Sequence, residues 1–266
     1  MYKAKKALVD KNSKALMSYG VQAYQAGNLV DANVAFQQVL KLDENNPDAN
    51  HLLGLVARKN GNNESAIEFF SKAIKINSYN PAYHSNLGNS LRDLGHSNDA
   101  VASYQKAISI LPNFATAHNN LGAALRLLGQ LEDSKNSLET AIRLEPGMAS
   151  AHVNLGNIMK DMGRIEEAKA SYQSGLHLEP ENSDALINLG SLLEEQNHLN
   201  EAIKYFREAE AIDPNCEVVH GNMGNALYKL GSLKEAEISY RLALKLNPQF
   251  KDPEFGLSLT LLSLGH

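Results

Sequence analysis

The sequence predicts an all-α solenoid, in which pairs of amphipathic helices stack at a fixed period. Three observations predict it. The dipeptide Leu-Gly returns as Leu53-Gly54, Leu87-Gly88, Leu121-Gly122, Leu155-Gly156 and Leu189-Gly190, with Tyr19-Gly20 and Met223-Gly224 as variants. Proline returns every 34 residues at Pro112, Pro146, Pro180, Pro214 and Pro248. A second glycine closes a helical pattern once per period, at Gly27, Gly61, Gly95, Gly129, Gly163, Gly231 and Gly265. A fixed period of this length marks an array whose units bury their apolar faces only on their neighbours.

Residues 1–12, MYKAKKALVDKN, form an N-terminal segment that reads as a helical cap or a tail. Seven units follow, at 13–46, 47–80, 81–114, 115–148, 149–182, 183–216 and 217–250, and residues 251–266 hold the first helix of an eighth. In the central unit the first helix is expected from about Ser150 to Met162, where Val153, Leu155, Ile158, Met159 and Met162 keep helical spacing. It stops at Gly163, because glycine enters the left-handed conformation that ends many helices without steric cost. At the equivalent position of the next unit stands Asn197, and asparagine is the usual second choice there. The second helix opens with an acid that favours the helix dipole, at Asp31, Asp99, Asp133, Glu167, Glu201 or Glu235. A small residue follows (Ala168 in the central unit), then a large one: Phe36, Phe70, Tyr104, Leu138, Tyr172, Phe206 or Tyr240. Small residues let two helices approach, and the large one fills the gap they leave. Pro47 and Pro81 fall near the start of a first helix, where the missing N–H is harmless.

Composition narrows the function classes. A net charge of −5 weighs against nucleic-acid binding. No apolar run approaches the length of a membrane span, and the start lacks the apolar core of a signal peptide. Cys216 is the only cysteine, which excludes an internal disulfide and fits a reducing, cytoplasmic setting. There is no phosphate-binding glycine loop and no pair of histidines at metal spacing on one helix. The expectation is a chain with no catalytic residues, no metal site and no cofactor. The pairs Glu166-Glu167 and Glu194-Glu195 read as solvated helix faces.

The coincidence of Leu-Gly, turn glycine, small residue, ring and proline resembles the tetratricopeptide repeat over residues 13–250. The tryptophan usual near the start of the first helix is missing, and His84, His118, His152 and His220 stand there instead, read as rings at the edge of the core. The resemblance implies a right-handed α-α superhelix with first helices on the concave face.

One recurring residue is not demanded by that fold. Asn86, Asn120, Asn154, Asn188 and Asn222 immediately precede the Leu-Gly or Met-Gly pair, and Asn89, Asn157 and Asn225 lie one helical turn further on the same face. Asparagine is a mediocre helix former. One reading is that these amides bond a neighbouring repeat and hold the stack in register. The other is that they hold an extended polypeptide, since an amide offers an acceptor and two donors to a backbone of any sequence. With a rise of about 3.3 Å per residue and rungs about 10 Å apart, the ladder meets a peptide once every three residues. This pattern resembles the repeats of O-linked N-acetylglucosamine transferase and of bacterial fusions of such repeats to transferase domains. The resemblance implies a substrate-recruiting part of a larger transferase. Ser18, Leu52 and Gly256 break the ladder at both ends.

Arg58, Arg92, Arg126 and Lys160 flank the ladder early and Glu194 and Glu195 later, which suggests a groove that changes sign. The last helix carries Phe255, Leu257, Leu259, Leu261, Leu262 and Leu264 with no second helix to cover them. It suggests a piece of a longer chain, or self-association through Phe255, Leu257, Leu261 and Leu264 as a scaffold.

Overall fold

The computed structural model describes the backbone of residues 2–265 and the side chains of residues 11–265. Among the described residues there are fifteen helices and no strand. They fall into two compact units, residues 1–144 and 145–266. The first holds α1 (Tyr2–Gln25), α2 (Leu29–Leu42), α3 (Pro47–Lys59), α4 (Asn63–Ile76), α5 (Pro81–Asp93), α6 (Ser97–Ile110), α7 (Ala115–Leu127) and α8 (Leu131–Leu144). The second holds α9 (Ala149–Asp161), α10 (Ile165–Leu178), α11 (Ser183–Glu195), α12 (Leu199–Ile212), α13 (Glu217–Leu230), α14 (Leu233–Leu246) and α15 (Lys251–Leu264). The segment before residue 13 is continuous with the first helix, as α1 begins at Tyr2.

Within each unit every odd-numbered helix packs on the even-numbered helix that follows, except α15, and that helix packs on the next odd one. Successive odd helices also touch, α3 on α5 and α11 on α13, whereas successive even helices do not. The odd helices are therefore the closely spaced layer, which is the inner side of a curved stack.

Each helix pair is closed by a large side chain on a glycine, a ring in all but α7–α8, where Leu138 lies on Gly122. A Cβ built at Gly156 would lie 2.5 Å from the Tyr172 ring, and one built at Gly54 would lie 2.5 Å from the Phe70 ring. The glycine is what lets the ring of the second helix lie flat against the first. Ala168, Tyr172, Ala202, Phe206, Ala236 and Tyr240 are all buried in one continuous core of the second unit. In the first unit Phe36 packs with Leu53 and Val56, and Tyr104 with Leu121 and Leu125.

The helix stops follow the expected chemistry. Gly163 has φ 74°, and Asn197 is the single non-glycine residue with positive φ among those described, at 64°. Around both, the same two hydrogen bonds close the turn: Gly163 N–H to Lys160 O and Arg164 N–H to Met159 O, and Asn197 N–H to Glu194 O and His198 N–H to Leu193 O. Pro47 and Pro81 occupy the first helical position. In the central pair the first helix starts and ends one residue earlier than expected, at Ala149 and Asp161.

The four recurring histidines do more than fill the edge of the core. His118, His152 and His220 each donate from Nε2 to the carbonyl oxygen of the proline six residues earlier, at 3.0, 3.1 and 2.8 Å. His84 makes the same bond to Ser78 O at 3.0 Å. Each ring fastens the turn that enters its own helix.

Candidate functional site

All eight ladder asparagines lie on odd-numbered helices and all are half-buried. In the first unit Asn120 on α7 donates from Nδ2 to Asn89 Oδ1 on α5, at 3.1 Å. The same Asn89 oxygen accepts from the Tyr104 hydroxyl at 2.8 Å. In the second unit Asn188 on α11 donates to Asn157 Oδ1 on α9 at 3.1 Å, and Tyr172 donates to that oxygen at 2.8 Å. Asn222 donates to Ser191 Oγ at 3.1 Å, and Asn225 accepts from Tyr240 at 2.7 Å. Asn154 stands at the same register on α9. The structure therefore pairs Asn89 with Asn120 and Asn157 with Asn188, while Asn222 and Asn225 engage Ser191 and Tyr240.

These bonds place the amides in the stack. Each of Asn86, Asn120, Asn188 and Asn222 gives one N–H to the preceding odd helix, which favours the register-holding reading at that hydrogen. It does not exhaust the group, because an amide has a second N–H and a carbonyl with two lone pairs. Among the described residues, Oδ1 of Asn86, Asn188 and Asn222 accepts no hydrogen bond, and that of Asn120 accepts only a long one, 3.4 Å, from Asn119. Since the two ends of an amide diverge from Cγ, Nδ2 aimed at the preceding helix turns Oδ1 away from it at Asn86, Asn120, Asn188 and Asn222.

The tyrosine hydroxyls are the part of the site that sequence reasoning missed, having read these residues as ring fillers. The signal was present. Where the ring is Tyr104, Tyr172 or Tyr240, the residue one turn beyond the rung is Asn89, Asn157 or Asn225. Where it is Phe36, Phe70, Leu138 or Phe206, that residue is Val21, Leu55, Ala123 or Ser191. The hydroxyl and the asparagine come and go together because each is the other's buried partner. Burial pushes the Tyr104 and Tyr240 hydroxyls up to about 12, so both stay protonated donors.

The N-terminal rung is built differently. Asn86 Nδ2 lies 2.8 Å from His51 Nε2, which must be unprotonated to accept. The imidazole packs against the Tyr83 and Phe70 rings, with centroids 4.7 and 5.6 Å away. Burial holds its pKa down at about 4, against an opposing pull from Asp48. Tyr83 donates to Asp48, and burial with that carboxylate drives its own pKa upward.

The flanking charges are held in ion pairs between helices. Arg58 pairs with Asp93 at 2.8 Å, Lys160 with Glu195 at 2.8 Å and Lys229 with Glu194 at 2.5 Å. Each pair joins one odd helix to the next, and Asp93 also takes Arg92 at 3.2 Å, so in the first unit two arginines share one acid. The Glu194-Glu195 and Glu166-Glu167 pairs are likewise not simply solvated, as Glu167 pairs with Arg164 and Glu166 accepts from Gln196. On α15 the buried residues are the small ones, Pro253, Gly256 and Thr260. Phe255 and Leu262 are 68% and 72% exposed.

Among the described residues no group of three or more His, Cys, Asp or Glu side chains could hold a metal ion. Among the described residues no helix is long and apolar enough to cross a membrane.

The chain is similar in fold to several solved structures. A chain of the APC/C hetero-tetramer Cut9–Hcn1 matches with a TM-score of 0.79 at 14% identity, over 88% of this chain and 48% of that one. This chain thus spans about half the length of that relative. A tetratricopeptide repeat protein from Parabacteroides merdae matches with a TM-score of 0.73 at 14% identity, over 94% of this chain and 99% of that one. YrrB, described as a TPR protein with an unusual peptide-binding site, matches with a TM-score of 0.52 at 22% identity, over 70% of this chain and 96% of that one. No curated protein sequence matches. The family model for the Cilia and flagella-associated protein 70 C-terminal domain, a tetratricopeptide family, matches residues 3–255. The chain is an all-α solenoid of tetratricopeptide repeats and belongs to that family.

Proposed function

We propose that each unit of this protein–protein interaction module holds an extended polypeptide along its odd-numbered helices, through Asn86 and Asn120 in the first and Asn154, Asn188 and Asn222 in the second, with Asn89, Asn157 and Asn225 beside them. One observation carries the reading. The rungs at Asn86, Asn188 and Asn222 are fixed by one N–H yet keep an unspent Oδ1 and a second N–H. That is the acceptor and donor needed to meet the N–H and C=O of one peptide residue. An amide held by the stack costs less entropy to engage than a free one. The peptide-binding site described for YrrB supports the fold's capacity for such a role. The resemblance to the transferase repeats supports a substrate-recruiting part within a larger transferase, in a reducing, cytoplasmic setting.

The test is fluorescence anisotropy with a short, uncharged Ser/Thr-rich peptide. Asn188→Ala with Asn222→Ala should lower affinity at least tenfold, taking about 1 kcal/mol for each lost hydrogen bond. Tyr172→Phe breaks a bond of the stack but leaves both rungs in place, and should change affinity little. Equal losses in the two variants contradict the reading.

A second reading has its own observation. Phe255 and Leu262 stand largely exposed on α15, beside the half-buried Leu257, Leu261 and Leu264. We propose self-association through this helix as the alternative, giving a scaffold. Sedimentation that stays monomeric as concentration rises, with Phe255 and Leu262 intact, contradicts it.

A further inference from the structure

We infer that the ladder selects an uncharged polypeptide in the polyproline II conformation, carrying a free N–H at every third residue. This rests on the ladder reading above and goes further, because it names the ligand's backbone form.

Parity decides the backbone form. Within each unit, rungs on successive odd helices are separated by one helix-packing distance. Asn120 reaches Asn89, and Asn188 reaches Asn157, by a direct side-chain bond of 3.1 Å, so the odd helices are in contact with nothing between them. Helices in contact lie about 8–10 Å apart. A peptide that serves successive rungs must present its N–H and C=O to the same side at that interval. In a β-strand the sides alternate with each residue, so same-side positions recur at about 6.6 Å and about 13 Å. Neither fits. Three strand residues span about 10 Å but bring the backbone groups out on the wrong side. A polyproline II segment has about three residues per turn and a rise of about 3.1 Å, so each third residue returns to the same side after about 9.3 Å. That matches the rungs.

Two further observations fix the ligand's chemistry. The charges beside the rungs are already engaged in ion pairs, Arg58 and Arg92 with Asp93, Lys160 with Glu195 and Lys229 with Glu194. A charged ligand gains little there and must compete with those pairs. Of the two unspent rung groups, Oδ1 is an acceptor, so the residue that fills both at a rung must keep its N–H and cannot be proline. The two residues between rungs carry no such requirement, and proline there pre-sets the conformation.

The experiment compares four short, labelled, uncharged peptides by anisotropy on the whole chain: Pro-Pro-Ser triplets, alternating Pro-Ser, polyproline, and alternating Thr-Val as a strand former. The triplet peptide should bind tightest. Alternating Pro-Ser supplies an N–H at only every other rung and should bind about tenfold more weakly. Polyproline, which offers the rungs only its C=O groups, should bind more weakly than either. If the Thr-Val peptide binds tighter than the triplets and loses affinity with Asn188→Ala and Asn222→Ala, the ladder reading stands and the polyproline II inference falls. If none of the four binds, both fall. If the triplet peptide binds equally well to that double variant, the rungs are not its site and the inference falls.

Discussion

The helix pairs closed by Phe36 and Phe70 and those closed by Tyr172 and Tyr240 share one packing and differ in one layer of chemistry. In both, a ring lies on a glycine so closely that an added methyl group would overlap it: Gly54 on Phe70, Gly156 on Tyr172. In both, small residues such as Ala32 and Ala168 are fully buried beside the ring. Only the tyrosine pairs add a hydroxyl, and only they carry an asparagine to receive it. The comparison separates how the chain stacks from what the stack presents. Packing is the same along the array, whereas the polar layer begins at Asn86 and varies from rung to rung.

The largest expected effect tests the shared packing. Gly156→Ala and Gly54→Ala should each cost about 3 kcal/mol, the upper part of the usual range for overpacking a filled core. The cost should be similar at the two sites, measured by denaturant unfolding. A loss at Gly156 much larger than at Gly54 would mean the hydroxyl layer contributes to the packing it accompanies.

The next effect distinguishes the imidazole rung from the amide rungs. His51 is held neutral, with a folded pKa of about 4 against about 6.5 in an unfolded chain. The unfolded state therefore binds the proton more readily. This contribution is fully present above about pH 6.5 and is lost as the pH falls through the window down to about 4. By about pH 4.5 the loss should reach on the order of 2 kcal/mol. His51→Gln keeps an acceptor for Asn86 and does not titrate. The difference between wild type and His51→Gln should therefore vary with pH across that window and be flat above it. A difference that is constant from pH 7 to pH 4 contradicts a neutral, buried His51.

The smallest effect tests the hydroxyl itself. Tyr172→Phe leaves Asn157 with one donor fewer and should cost about 1 kcal/mol. Phe206→Tyr alone should gain nothing. Combined with Ser191→Asn, it should recover part of that energy, seen as a favourable coupling in a double-mutant cycle. Zero coupling would mean the pairing of hydroxyl and asparagine reflects something other than their bond.

Most of the fold was legible because its determinants are local. A period shows in one chain, and a stop such as Gly163 or Asn197 is set by its own φ. The positions of the rungs were legible for the same reason, since helical spacing alone puts Asn154 and Asn157 on one face. The partners were harder to read. Arg58 and Asp93 are separated by one period plus one residue, and that offset becomes a contact only when odd helices lie side by side. His118 and Pro112 are six residues apart, but the bond requires the turn to fold the proline carbonyl back over the helix start. Tyr172 and Phe206 look alike to a hydrophobic pattern, and the difference appears only when each is compared with the residue fifteen positions earlier, Asn157 or Ser191.

The central claim is that the rungs grip a peptide by its backbone. The most direct measurement is amide hydrogen exchange, residue by residue, on an isotope-labelled uncharged Ser/Thr-rich peptide bound to the whole chain. The account predicts protection at every third amide, abolished by Asn188→Ala and Asn222→Ala at the amides those rungs hold. Protection at every second amide, uniform protection, or protection untouched by those substitutions would contradict it.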